Sequence, residues 1–200
     1  MQNFYKFEFS WTKLAAKVIN DELLSKEKLW FTDTTRQENS PALQHSNVIH
    51  LVVGDRSAVP EGTKIEDIMI PKLSSVAHHF PTTLTVLEAF EKELDGKLIK
   101  AQIVRLEPHQ HVYPHIDGPR KTNFYNFCDR YHLVIISTAG SSLTCLDETV
   151  IMQENELWWF DNQKLHSAYN PSDDWRIHLI FDLKPNSSVC RRDMKSNDKG

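Results

Sequence analysis

The sequence predicts a mainly β domain with flanking helices, built as a sandwich or barrel. Two features carry that expectation. From residue 97 onward, runs of four to nine residues rich in β-branched and aromatic side chains follow one another with turns between them. That is the texture of packed antiparallel sheets and not of βαβ units. Helical spacing is confined to the first 96 residues, where only two amphipathic stripes occur. The 200-residue length allows one domain with a core of its own.

Residues 10–30 read as a helix, with Ser10 as its cap and Leu14, Val18, Ile19, Leu23 and Leu24 on one stripe. The stretch 31–47 is polar and turn-rich, Val48–Val53 is a short strand, and Gly54–Pro71 reads as loop. A second helix is expected at Thr83–Leu94, with Leu84, Leu87, Phe90 and Leu94 on one face and Asp95-Gly96 as its stop. Strands follow at Leu98–Leu106, Tyr131–Ser137, Ser142–Leu146, Thr149–Met152, Leu157–Phe160, His166–Tyr169 and Trp175–Leu183. The expected organisation is a single domain over 1–185, with a helical and loop part to residue 96 and a β core over 97–185. Residues 186–200 read as a flexible tail.

Composition narrows the function. Lys and Arg number 23 against 27 Asp and Glu, a net charge of −4, so the chain lacks the broad positive field of a nucleic-acid binder. No run reaches the roughly 18 apolar residues of a membrane span. The first residues mix charge with aromatics and hold no apolar signal core. Cys128, Cys145 and Cys190 are odd in number and scattered, which fits a reducing, cytoplasmic setting.

The most informative segment runs Pro108-His109-Gln110-His111-Val112-Tyr113-Pro114-His115-Ile116-Asp117-Gly118. In extended backbone, side chains alternate faces, so His115 and Asp117 point the same way. His166, in another strand-like run, can complete a two-His, one-carboxylate triad that leaves positions open on Fe(II) for oxygen chemistry. His109 and His111 share the parity of His115, and with His166 they could instead make a three-His zinc site. Arg176 opens an otherwise apolar strand, and a guanidinium there calls for an anion. Its fork suits a carboxylate better than a lysine would. His178 shares its face and reads as a buried structural histidine or a pocket wall. Trp158, Trp159 and Phe160 read as core, and Asn170 as the closure of a turn before Pro171.

Five ordered blocks resemble the aspartyl/asparaginyl β-hydroxylase family of Fe(II)/2-oxoglutarate dioxygenases. They are Arg105-Leu106-Glu107-Pro108 through His115-Ile116-Asp117, Arg130-Tyr131-His132-Leu133, Asn155 through Asp161, His166 through Asn170, and Arg176 through Asp182. The resemblance implies a double-stranded β-helix, a cupin-like jelly-roll barrel. It implies that His115, Asp117 and His166 ligate Fe(II) and that Arg176 binds the distal carboxylate of 2-oxoglutarate. Arg130 and His132 match the family's Arg-x-His element at the 2-oxoglutarate site. O2 is then the oxidant, and ascorbate is expected to stimulate turnover. The best-known animal members have glycine where Asp117 stands, so the full triad here weakens direct transfer of their substrate.

The activity this implies is hydroxylation of an Asp or Asn-type residue in a peptide or protein. The alternatives are a hydroxylase of a free amino acid such as proline or another small acid, and a non-oxygenase cupin or zinc hydrolase. Arg36 and Gln37 resemble a family stretch near the substrate cleft. Arg120 and Lys121 follow Gly118-Pro119 in an expected mouth loop and could attract an acidic group.

Overall fold

The computed structural model of the chain describes residues 3–55, 70–117 and 127–194. Its strands in chain order are β1 (Phe4–Phe7), β2 (Ser46–Asp55), β3 (Ile70–Leu73), β4 (Gly96–Leu106), β5 (His111–His115), β6 (Asp129–Ile136), β7 (Ser142–Cys145), β8 (Glu148–Ile151), β9 (Leu157–Phe160), β10 (His166–Tyr169) and β11 (Arg176–Pro185). Among the described residues three α-helices accompany them: α1 (Thr12–Leu23), α2 (Thr35–Asn39) and α3 (Pro81–Glu93). One antiparallel sheet has the order β1-β9-β6-β11-β4-β2-β3, and a second has the order β5-β10-β7-β8. The two face each other as a jelly roll. No ladder joins them among the described residues, so the expected barrel is an open pair of sheets.

The larger sheet is buried on both faces. Outside, Ala15, Ala16, Ile19 and Leu23 of α1 and Leu87 and Phe90 of α3 cover Ala101, Ile103, Leu133, Leu179 and Phe181. Inside, Val48, Val104 and Ile180 form one apolar patch, and Val134 and Phe160 join Leu143 and Ala168 of the facing sheet in another. Double burial explains why β4, β6 and β11 read as unbroken apolar runs rather than alternating ones.

Several expectations shift. The first helix ends at Leu23 and a 3₁₀ turn covers Glu27–Phe31. Trp11 stands at its N-cap with no side-chain cap bond, and Ser10 does not cap it. Leu14 and Leu24 are 63% and 78% exposed, because the helix turns its alanines to the core, where small side chains let it sit close. The loop expected over Gly54–Pro71 contains, in its described part, the end of β2 and the start of β3, which pair with each other. Pro71 is tolerated there because β3 is an edge strand. Phe4-Tyr5-Lys6-Phe7 forms the other edge, paired with β9. Beyond Pro185, Cys190 is buried, the Arg191 backbone N–H donates to the Asp129 carboxylate, and the Arg191 guanidinium lies 4.6 Å from the Phe7 ring centroid. Residues 195–200 of the expected tail lie outside the described residues.

Candidate functional site

His166 on β10 lies directly opposite His115 on β5. Two residues along β10, Ala168 faces Val112, three residues along β5, so the register slips and Tyr113 and Pro114 together oppose Ser167. Proline has no N–H to give to a ladder, and a bulge of this kind re-aims the residues beyond it. Its effect is to turn both Val112 and His115 into the space between the sheets. His111 goes to the other face, stacked on Tyr169 at 4.2 Å between centroids. His109 stands apart with positive φ and pairs with Asp173 at 2.8 Å. Equal parity therefore does not put His109 or His111 beside His166, and the three-His zinc arrangement is absent.

His115, Asp117 and His166 do converge. One ligand atom from each lies within 4.8 Å of the others. His115 Nε2 is 3.6 Å from Asp117 Oδ1, and His166 Nε2 is 3.9 Å from Asp117 Oδ2. His115 Nδ1 lies 2.8 Å from the Tyr113 carbonyl, and His166 Nδ1 lies 2.9 Å from the Lys164 carbonyl. A carbonyl can only accept, so each Nδ1 must carry the proton. Both Nε2 lone pairs are thereby presented to the same point, the tautomer a divalent metal needs. Asp117 is aimed from behind. Its Oδ2 accepts from Asn162 Nδ2 at 3.0 Å and from Arg130 Nη1, and its backbone N–H donates to the Asn162 carbonyl. Although burial opposes its charge, Arg130, His115 and His166 hold its carboxyl well below the usual range. Burial brings His166 down to about 4, so it is neutral at pH 7.

The neighbouring wall is the inner face of the larger sheet. Along β11, Arg176, His178, Ile180 and Asp182 point inward in turn, opposite Leu106, Val104, Gln102 and Lys100 of β4. On the other side of β11, Ile180 and Asp182 face His132 and Arg130 of β6. Arg176 lies on the sheet opposite His166, across the same cavity. It is 7% exposed, and its Nε and Nη2 have no hydrogen-bond partner. Burial alone pulls its pKa down to about 10. A guanidinium this deep without an anion is strongly unfavourable, so an anion entering the cavity there would be stabilised. Arg130 already holds two carboxylates: Nε and Nη2 grip Asp182 at 2.8 and 2.9 Å while Nη1 reaches Asp117.

His132 and His178 both line the cavity, with Nδ1 atoms 3.3 Å apart and Nε2 atoms unpartnered. One Nδ1 must donate to the other, so one free Nε2 carries a proton and the other does not. Burial first, and then the positive charge of Arg130 and Arg176 on His132 and of Arg176 on His178, pushes both well below the ordinary histidine value. Burial and Lys100 bring His50 to about 4. In the unfolded chain all three protonate near the usual value of about 6.5. The unfolded state then binds more protons, so stability should be lost as pH falls from about 6.5 toward 4, by up to about 1.4 kcal/mol per pH unit for each histidine. Asp129, raised by burial, acts in the opposite sense, but His166 adds to the three histidines and one group against four does not reverse the sign. Urea unfolding of metal-free protein at pH 7.5 and 5.5 checks this; equal midpoints would contradict it.

Arg36, on α2, reaches the cavity, whereas Gln37 is not among the residues lining it. Arg120 and Lys121 lie outside the described residues. Asn170 closes its turn: its Nδ2 donates to the Asp174 carbonyl and its Oδ1 accepts from Thr138 and Ser172. Trp159 is core, with Nε1 donating to Asp129, while Phe160 walls the cavity. Three contributors were missed: Asn162, Asp182 and Lys100. Asp182 and Lys100 were legible as polar residues on inward parity in otherwise apolar strands. Asn162 lies in a turn and left no periodic signal.

The sequence pattern of the aspartyl/asparaginyl beta-hydroxylase family matches residues 16–185. A human aspartyl/asparaginyl beta-hydroxylase is 27% identical over 104 residues, 52% of this chain and 13% of that protein. An L-proline cis-4-hydroxylase of Rhizobium meliloti is 28% identical over 132 residues, 62% of this chain and 44% of that protein. The chain thus spans less than half the length of either of these relatives. In fold it is similar to a prolyl hydroxylase from Trichoplax adhaerens, solved with a hypoxia inducible factor peptide fragment, at a TM-score of 0.59 and 11% identity over 93% of this chain and 85% of that one. No helix among the described residues is long and apolar enough to cross a membrane. With the pattern running through His115, Asp117, His166 and Arg176, the chain belongs to the aspartyl/asparaginyl beta-hydroxylase family.

Proposed function

We propose that this chain is an Fe(II)- and 2-oxoglutarate-dependent hydroxylase, a single catalytic domain over residues 1–185. His115, Asp117 and His166 would hold the iron, and Arg176 the distal carboxylate of 2-oxoglutarate. The observation that carries this is the pairing of two Nδ1-locked imidazoles and a carboxylate with a buried, anion-less arginine in one cavity. The donor set suits Fe(II) with open positions. When bound, iron and 2-oxoglutarate supply the oxidation in which O2 is consumed, succinate and carbon dioxide leave, and a substrate C–H becomes C–OH.

The protein's share is position and dryness. Arg130 and Asn162 fix the Asp117 carboxylate, and the Tyr113 and Lys164 carbonyls fix the imidazoles. Val104, Leu143, Phe160 and Ile180 wall the cavity with apolar surface, which keeps bulk water from the reacting atoms. His132 stands where its Nε2 can meet a polar atom of the cosubstrate. Ascorbate would serve as an auxiliary reductant, and three buried cysteines outside any disulfide fit a cytoplasmic setting.

The substrate reading is an Asp or Asn-type residue of a peptide or protein, with Arg36 at its cleft. The similarity to an L-proline hydroxylase supports a second reading, a free amino acid. The test incubates purified protein with Fe(II), 2-oxoglutarate and ascorbate against Asp- and Asn-containing peptides and L-proline. One succinate per product heavier by one oxygen is expected. No 2-oxoglutarate consumption under any condition would refute the proposal.

A further inference from the structure

A second cleft adjoins the triad. It has a volume of about 330 Å³ and is lined by Lys100, Arg36, His50 and Gln102, with Asp117 and Arg130 at its boundary with the metal-facing cavity. Lys100 stands directly opposite Asp182 on β11, and Asp182 directly opposite Arg130 on β6. The three form one charged row across the inner face. Within that row, both Asp182 oxygens are taken by Arg130. Arg130 also contacts Asp117, the carboxylate that faces the metal position. The surplus charge of the row is therefore the Lys100 ammonium, which makes no hydrogen bond or ion pair of its own among the described residues.

From this we infer that Lys100 is an anion subsite that holds a free carboxylate of the substrate, so that the substrate is an acid and not an amide. This rests on the hydroxylase reading above and narrows it. The cleft would take one acidic side chain or one small amino acid, with its C–H bonds toward the triad. It differs from the cosubstrate's subsite. Arg176 and Lys100 lie six residues apart along paired strands, about 20 Å, at opposite ends of the same inner face. The electrostatics agree. Burial is the largest influence on Lys100, followed by repulsion from Arg130; attraction from Asp182 and Asp117 and repulsion from Arg36 are smaller, and together they bring its pKa to about 8. An ammonium so placed gains from any carboxylate that enters. His50, neutral by burial, adds no charge.

The test uses protein loaded with Mn(II) and N-oxalylglycine, and two probe pairs: N-acetyl-aspartate α-amide against N-acetyl-asparagine α-amide, and L-proline against L-prolinamide. Paramagnetic broadening of the probe's proton signals reports binding near the metal. At least one acid should bind about tenfold or more tightly than its amide. Lys100→Met should cut binding of that acid about tenfold or more, Lys100→Arg should retain most of it, and Mn(II) and N-oxalylglycine affinities should stay as in the wild type. If no acid binds better than its amide, or if Lys100→Met binds the acid as the wild type does, the subsite is wrong and the hydroxylase reading stands. If the wild type takes up neither Mn(II) nor N-oxalylglycine, the hydroxylase reading itself fails and this inference with it.

Discussion

Replacing His166 with alanine should leave a folded protein that no longer retains Fe(II) and forms no succinate above background. The imidazole sits on a strand paired on both sides, and its only described hydrogen bond is Nδ1 to the Lys164 carbonyl, so little of the fold depends on it. What it supplies is a neutral Nε2 beside that of His115 and the carboxylate of Asp117. Loss of a group that merely orients a ligand costs roughly 10–100-fold in metal affinity, and loss of the ligand itself should exceed that. Mn(II) titration followed by electron paramagnetic resonance measures the affinity, and the far-ultraviolet spectrum checks the fold. Retention of wild-type affinity would remove His166 from the metal site.

Arg176→Met is expected to move stability and function in opposite directions. The side chain is buried with two unpartnered nitrogens, so without cosubstrate it carries an uncompensated desolvation cost. A methionine of similar length removes the charge and keeps apolar contact with the cavity wall. The metal-free variant should unfold at higher urea than the wild type, a gain on the order of 1–4 kcal/mol. The apparent affinity for 2-oxoglutarate should fall by about 2–5 kcal/mol, or roughly 30- to 5,000-fold, the usual consequence of removing one partner of a buried charged pair. Iron affinity should not change, because Arg176 contacts none of the three ligands. An unchanged requirement for 2-oxoglutarate would show that the arginine serves another purpose.

Much of this was legible in the residues, and the places where it was not have physical causes. Strands β9 and β10 were read to the residue: Leu157–Phe160 is a short apolar run that stops at Asp161-Asn162, and His166–Tyr169 stops at Asn170-Pro171. That His115 and Asp117 share a face was read from strand alternation; β5 ends at His115, and Asp117 is placed by its bonds to Asn162 and Arg130. Alternation failed at His111, because the Tyr113-Pro114 bulge resets the face, and a bulge leaves no mark in a parity count. Helix α1 misled for a related reason: Leu14 has the hydrophobicity of a core residue, but Ala15 and Ala16 have the size the sheet accepts. Which sheet Arg176 joins could not be read locally. β11 crosses from its neighbour in sequence, β10, to pair with β4 and β6, and that long-range choice is what sets the arginine across the cavity from the triad.

The most direct measurement is the anomalous diffraction of a crystal grown with Mn(II) and N-oxalylglycine. The account predicts one strong peak bound by His115 Nε2, His166 Nε2 and Asp117 Oδ1, with Asp117 Oδ2 still held by Arg130 and Asn162 and the analogue's far carboxylate on Arg176. A metal peak at His109 or His111 instead, or an analogue whose far end leaves Arg176 without an anion, would contradict it.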